Sequence, residues 1–468
     1  MASYATRDRE LNRSLDRVIY AITFGNVFFS IFGAPVGSPL YTGFMRKLGA
    51  DDLVYAVVMA LPVLGGVAQI FASYYMESTG RRRGLFLASG LVHRLLWIPV
   101  AILPLVLPPT MHRQCLAAIT ALIVASSVGN SVATVGYNSW MGDLVPFDIA
   151  GRFFARRTLV STVSGAVAGI GAGILVDHVN SFGGFAVAFV VGAVFGAADI
   201  TTYFFIQHPP FQRSESVPSP WTIFVLPFRD RRYRQLVIFA TLFYFAVNMP
   251  IPFFNVYMLE NLHMNYFLIT VSNQIMSSLF TILTVSRWGS ICDRFGYKPV
   301  VWVSGIMAGL CLLIWFFVTP GNIWLVFVAN IVAGIAWAGF NLAIFNQSVW
   351  MAPEKNRSAY IAGYSMMTTV VGGALAYVVG GYFMQYFGPV IRRLQWPFVC
   401  GTALNAFQIL FLISGVLRIL VVLIFEPHVC EDDAKTVPEL IRGLRDSALE
   451  RLGIQSPRPP ARRGQGPT

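Results

Sequence analysis

Two charged side chains stand deep inside long apolar runs of the sequence, Arg94 and Asp199. A charge in hydrocarbon persists only beside a partner or in a polar cavity, so such residues point to an ion pair, a proton path or a binding site. Arg94 lies ten residues past the start of its run at 84, and Asp199 seven before the end of its run at 206. At about 1.5 Å per residue their depths differ by about 4.5 Å, which predicts a buried ion pair with His93 as a third member. A second set consists of amides and hydroxyls at helical steps: Thr23, Asn26, Ser30 and Gly33; Ser127, Asn130, Thr134 and Asn138; Tyr244, Asn248 and Asn255; Asn330, Gly334, Trp337 and Asn341. Each group falls on one helix face. Such a stripe either bonds one helix to another, at about 0.6–2 kcal/mol per bond, or lines a polar cavity.

A third set is a charged turn that occurs twice. Ser73-Tyr-Tyr-Met-Glu77-Ser-Thr-Gly80-Arg81-Arg82-Arg83 is matched 216 residues later by Gly289-Ser-Ile-Cys-Asp293-Arg294-Phe-Gly296-Tyr-Lys298. Glycine permits the tight turn, the basic residues suit a headgroup layer, and the acid can face a helix N-terminus. The approach Trp140-Met-Gly-Asp-Leu-Val-Pro146 to Gly151 and Arg152 is likewise matched by Trp350-Met-Ala-Pro353 before Arg357. The chain therefore repeats internally.

The elements that must carry these residues follow from composition. Hydrophobic residues make up 56%, charged residues 12% and aromatics 14%, with a mean hydropathy of +0.62. That is more apolar surface than a soluble domain buries. Runs long enough for a core of about 30 Å occur at 18–40, 53–76, 84–108, 114–138, 157–179, 183–206, 234–258, 267–288, 299–319, 322–349, 358–386 and 400–425. Each reads as a helix, with internal prolines such as Pro35, Pro39, Pro62, Pro99, Pro250 and Pro252 as kinks. The first run lacks a convincing cleavage site and reads as a span, not a signal peptide.

Of the 34 Lys and Arg residues, 27 fall in the N-terminus, in alternate loops and in the tail, which places both termini in the cytoplasm of a cell-membrane protein. The net charge of +12 is thus topological, and nucleic acid is not an expected partner. Cys115, Cys292, Cys311, Cys400 and Cys430 show no metal or disulfide spacing. His428 and Asp433 form a chance HxxxxD, and no catalytic constellation, metal site or cofactor is expected. The organisation reads as a cytoplasmic segment 1–17, a six-helix half 18–206, a link 207–233, a second half 234–426 and a tail 427–468. The link is expected on the anionic inner leaflet, and Thr436 with Glu439 reads as a capping box opening an amphipathic helix before a disordered end.

At the charged turns the chain resembles the major facilitator superfamily, over residues 15–426. The second turn fits the family's signature loop throughout; the first departs at Ser73, Glu77 and Ser78. The resemblance implies an all-α membrane protein of twelve helices in two pseudo-symmetric six-helix bundles. It implies that the first, fourth, seventh and tenth helices line a central cavity, so that Asn26, Ser30, Asn130, Thr134, Asn138, Tyr244, Asn248, Asn255, Asn330, Trp337 and Asn341 face a solute. By the run boundaries this cavity is neutral, and a membrane-embedded carboxylate for proton coupling is missing. The third and sixth helices are implied to lie side by side at the periphery, making Arg94 and Asp199 a structural pair. Arg418 is expected to snorkel to the inner surface.

The same resemblance makes Glu77, Gly80, Arg81, Arg82, Gly289, Asp293, Arg294, Gly296 and Lys298 a cytoplasmic gate, with Glu77 meeting the eleventh helix near Ser358 and Asp293 the fifth near Arg152 and Arg156. Drug-antiporter signatures are incomplete: Gly165, Gly169, Gly171 and Gly173 lack the accompanying proline. These glycines, with Gly372, Gly373, Gly380 and Gly381, are expected to allow close helix packing. The expectation is a monomeric secondary carrier, in contact with membrane lipid, for a small neutral or amphipathic organic solute. The alternatives are a lipid flippase on the same fold and, from another class, a membrane receptor or enzyme.

Overall fold

The computed structural model describes residues 9–32, 38–179, 181–209, 220–353, 357–398, 402–429, 431 and 435–442. Among them, twelve helices are long and apolar enough to cross a membrane: Arg9–Phe32, Asp52–Thr79, Arg82–Val106, His112–Leu144, Asp148–His178, Phe182–Phe205, Arg231–Asn261, Tyr266–Phe295, Tyr297–Phe316, Trp324–Trp350, Ala359–Leu394 and Ala406–His428. They are called the first to twelfth spans below. Several start earlier than their apolar runs. The first begins at Arg9, not 18, and the seventh at Arg231, so charged turns extend both helices beyond their apolar runs. Asp230 caps the seventh, accepting from the Arg232 and Tyr233 amides at 2.8 and 3.1 Å. The fifth opens at Asp148, so Arg157 lies two and a half turns inside it.

Pro39 does not kink the first span; it opens a separate short helix, Pro39–Lys47, at the end away from the termini. Among the described residues three stretches are π-helical: Tyr257–Asn261 ends the seventh span, and Val271–Met276 and Val370–Leu375 interrupt the eighth and eleventh.

The halves join at one end. At the end away from the termini, one cluster of buried apolar side chains runs through both halves, from Phe28, Tyr41 and Tyr55 to Met249, Phe253 and Tyr377. At the terminus end there are two clusters instead, one around Trp140 and Phe153, the other around Tyr233, Phe239 and Phe340. The glycines of the fifth and eleventh spans make the junction possible, as their spacing predicts. A Cβ on Gly173 would sit 3.2 Å from the Phe267 amide nitrogen, and one on Gly381 would sit 2.6 Å from Ala56 Cβ.

Candidate functional site

Within the N-terminal half, five spans surround a polar cavity of about 330 Å³. Asn26 from the first span and Asn130, Thr134 and Asn138 from the fourth line it, together with Arg94, Asp199, Arg157 and His93. The ion pair is formed: Arg94 Nη2 donates to Asp199 Oδ2 at 3.1 Å, and the two residues are only 4 and 6% exposed. Gly25 makes room for it, since a Cβ there would lie 2.6 Å from Asp199 Oδ2. Phe28 and Phe29 hold the guanidinium, with centroids 4.2 and 4.5 Å from Cζ. His93 does not join the pair but bonds through Nδ1 to Ser126 Oγ at 2.7 Å. Asn26 Nδ2 donates to the Ile22 carbonyl at 2.6 Å while its Oδ1 accepts from Ser161 at 2.8 Å, which fixes the amide.

This arrangement corrects one expectation. The cavity is not neutral, because Arg157 from inside the fifth span lines it. The expected pair between the third and sixth spans is present, and its two side chains line the same cavity as Asn26 and Asn130.

In the C-terminal half Asn248, Asn255 and Asn330 are consumed by the protein. Asn248 donates to the Gly372 carbonyl at 2.7 Å, and Asn330 donates to Asn273, which donates to Asn255, at 3.3 and 3.2 Å. Tyr244 and Trp337 meet Phe340 at ring distances of 6.1 and 5.7 Å. Asn341 is exposed, and Ser30 is buried beside Gly165. Arg418 does not snorkel. It is 3% exposed and donates to the Ala308 and Val247 carbonyls at 3.0 and 3.2 Å, which gives its guanidinium acceptors inside the bundle.

The charged turns hold their own halves together. Gly80 and Gly296 adopt φ of 71 and 88°, the left-handed geometry the turn requires. Arg82 is fully buried instead of lying among headgroups; it pairs with Asp143 and donates to the Ser139 and Pro209 carbonyls at 3.2 and 2.9 Å. Arg81 precedes it as the residue flanking the third span. Lys298 donates to the Pro427 and Val429 carbonyls at 3.1 and 2.8 Å. Glu431, which the sequence reading passed over, accepts from the Tyr297 and Lys298 amides at 2.9 and 2.7 Å and so caps the ninth span. Gly289 lies one turn before Asp293 and Arg294, which are exposed. Among the described residues no ion pair joins Asp293 to Arg152 or Arg156, since Arg156 pairs with Asp16 at 3.3 Å. Glu77 is half-buried, and the expected contact at the Ser358 side chain lies outside the described residues.

The contacts that bridge the halves lie at the opposite end. Asp177, at the end of the fifth span, accepts from the Tyr266 and Phe267 amides that open the eighth, at 2.9 and 3.0 Å. Arg46 grips Glu260 with two nitrogens, at 2.5 and 2.9 Å, and reaches Asp52 at 3.0 Å. Sequence spacing could not reveal partners 89 and 214 residues apart.

Comparison with known proteins agrees with this architecture. The family model described as Major Facilitator Superfamily matches residues 22–286 and 236–456. No curated protein matches the chain. Similar solved structures include a variant of the nucleoside transporter NupG, with a TM-score of 0.69, 16% identity and coverage of 89% of this chain and 100% of that one. A bacterial homologue of the human lysosomal transporter Spinster, in an inward-facing occupied conformation, has a TM-score of 0.68 at 12% identity, covering 92 and 100%. A D-xylose-proton symporter gives 0.63 at 12%, covering 90 and 100%. This multi-pass membrane protein belongs to the Major Facilitator Superfamily and is a transporter, not an enzyme.

Proposed function

We propose that the protein is a secondary active or facilitative carrier that moves a small, amphipathic organic solute by alternating access, with the N-terminal cavity as the main part of its binding site. The observation that carries this reading is the pairing of a polar cavity with a core that is continuous at one end of the halves and divided at the other. A carrier needs a midplane site and a seal that can change sides. In the conformation described, Asp177 and the Arg46–Glu260 pair form the seal away from the termini. Glu77 and Asp293 are the acids that would form the other seal when the terminus end closes. The distribution of basic residues favours cytoplasmic termini in a cell membrane, which makes this conformation inward-facing.

Spin labels placed in pairs across each end test the mechanism. A stabilising solute should shorten the distance at the terminus end and lengthen it at the other. Unchanged distributions at both ends with every stabilising solute would sink the reading. Labelling of single introduced cysteines from outside intact cells tests orientation: sites next to Lys47 should react and sites in the link or tail should not.

A further inference from the structure

The N-terminal cavity holds more positive charge than it balances. Two guanidinium groups, Arg94 and Arg157, line it, and Asp199 is the one acid among its lining residues. Both arginines act electrostatically on that carboxylate, so the cavity keeps one cation in excess. The pair is also incomplete as a set of hydrogen bonds. Arg94 reaches Asp199 through Nη2 alone, and its Nε and Nη1 find no partner within the protein, although the residue is 96% buried. Arg157 Nε and His93 Nε2 are likewise without partners, and His93 is 92% buried. Donors in an apolar bundle are costly to leave unmade, and an excess buried cation more so. Phe29, Phe86, Ile22 and Ile200 supply apolar walls to the same space.

Resting on the carrier reading above, we propose that the solute is an organic monocarboxylate, with its carboxylate taken by the free donors of Arg157 and Arg94 and its apolar body laid against Phe29 and Phe86. A carboxylate matches a planar guanidinium fork and cancels one charge. A phosphate monoester, at about −1.5 to −2, would overcompensate. The volume of about 330 Å³ lies at the small end of ligand pockets and suits an acid with one ring or two fused rings.

The full-length protein in lipid nanodiscs is titrated with matched pairs: benzoate and benzamide, nicotinate and nicotinamide, indole-3-acetate and indole-3-acetamide. The readout is the thermal unfolding midpoint. At least one acid should act at about tenfold lower concentration than its amide, which corresponds to about 1.4 kcal/mol. Arg157→Gln should abolish that preference while the protein stays monodisperse; should that variant fail to fold, Arg157→Lys serves instead and should weaken the preference severalfold. The proposal is overturned if no acid outperforms its amide, or if Arg157→Gln keeps the preference. If amides bind and Asn130→Ala removes their effect, the cavity remains the solute site and only the carboxylate assignment fails. If nothing binds, or Asn130→Ala changes nothing, the site assignment fails as well.

Discussion

The two halves descend from one plan and spend their polar residues in opposite ways. In the N-terminal half, amides of the first and fourth spans stay around a cavity with Arg94, Arg157 and Asp199. In the C-terminal half, Asn248, Asn255 and Asn330 bond to a carbonyl or to a neighbouring amide, and its buried cation, Arg418, donates through both terminal nitrogens to backbone oxygens, leaving Nε alone without a partner. The turns differ as well: Arg82 anchors the first from within, whereas the tail's Glu431 anchors the second from outside. Polar stripes on matching helices therefore do not mean equal sites. What separates a cavity from a hydrogen-bond network is whether neighbouring helices offer partners.

The largest test of that contrast removes one charge from each half. Asp199→Ala strands a buried guanidinium and should cost about 3–5 kcal/mol, whereas the double variant with Arg94→Ala should recover part of the loss. Arg418→Met takes its charge away with it and should cost less than Asp199→Ala. Thermal unfolding of the wild type, the two single variants at 94 and 199, their double and Arg418→Met decides; additive losses at 94 and 199, or a costlier Arg418→Met, would break the comparison.

Next in size is the tail anchor. Glu431→Gln should weaken the cap on the ninth span by about 1–2 kcal/mol and raise hydrogen exchange at 427–442, leaving the first turn protected. Exchange that rises equally at both turns would show that they are not separately held.

Smaller still is the effect on the seals. Asp177→Asn removes a charge–dipole contact worth about 0.3–2 kcal/mol, enough to shift a two-state equilibrium roughly two- to thirtyfold toward opening away from the termini. Asp293→Asn should shift it in the opposite sense, toward the conformation described here. Distances between spin labels at both ends would report the two shifts, and shifts of the same sign would remove the distinction between the seals.

The smallest is a pH effect confined to the N-terminal half. Burial, with Arg82 and Arg83 close by, holds the His208 imidazole below its usual value. The folded state therefore binds fewer protons there than the unfolded chain. Stability from this site is full above the unfolded value of about 6.5 and declines as pH falls below it. His208→Gln should flatten that decline slightly in unfolding curves between about pH 7 and 5, and an unchanged slope would show the site to be silent.

The spans and the charged turns were legible because hydropathy and glycine act locally. The pairing of Arg94 with Asp199 was legible too, as two charges at one depth. Arg157 escapes because the fifth run, 157–179, begins at that residue and so places it at the rim, although the helix begins at Asp148. The cavity's shape depends on Gly25 beside Asp199, a contact between the first and sixth spans that no periodicity encodes. The fate of Asn248 and Asn330 turned on a carbonyl at Gly372 and an amide at Asn273, each supplied by a different helix.

The three π-helical stretches have a mechanical consequence. All lie in the C-terminal half, on the seventh, eighth and eleventh spans. A π turn carries a loosened hydrogen-bond ladder, so those rods are the compliant ones. These three spans are therefore the ones expected to yield when the shape changes, whereas no π turn interrupts the helices that carry Arg94, Arg157 and Asp199 among the described residues. Deleting one residue within Val370–Leu375 would restore a regular α-ladder and stiffen the eleventh span, slowing the exchange between shapes without touching the cavity.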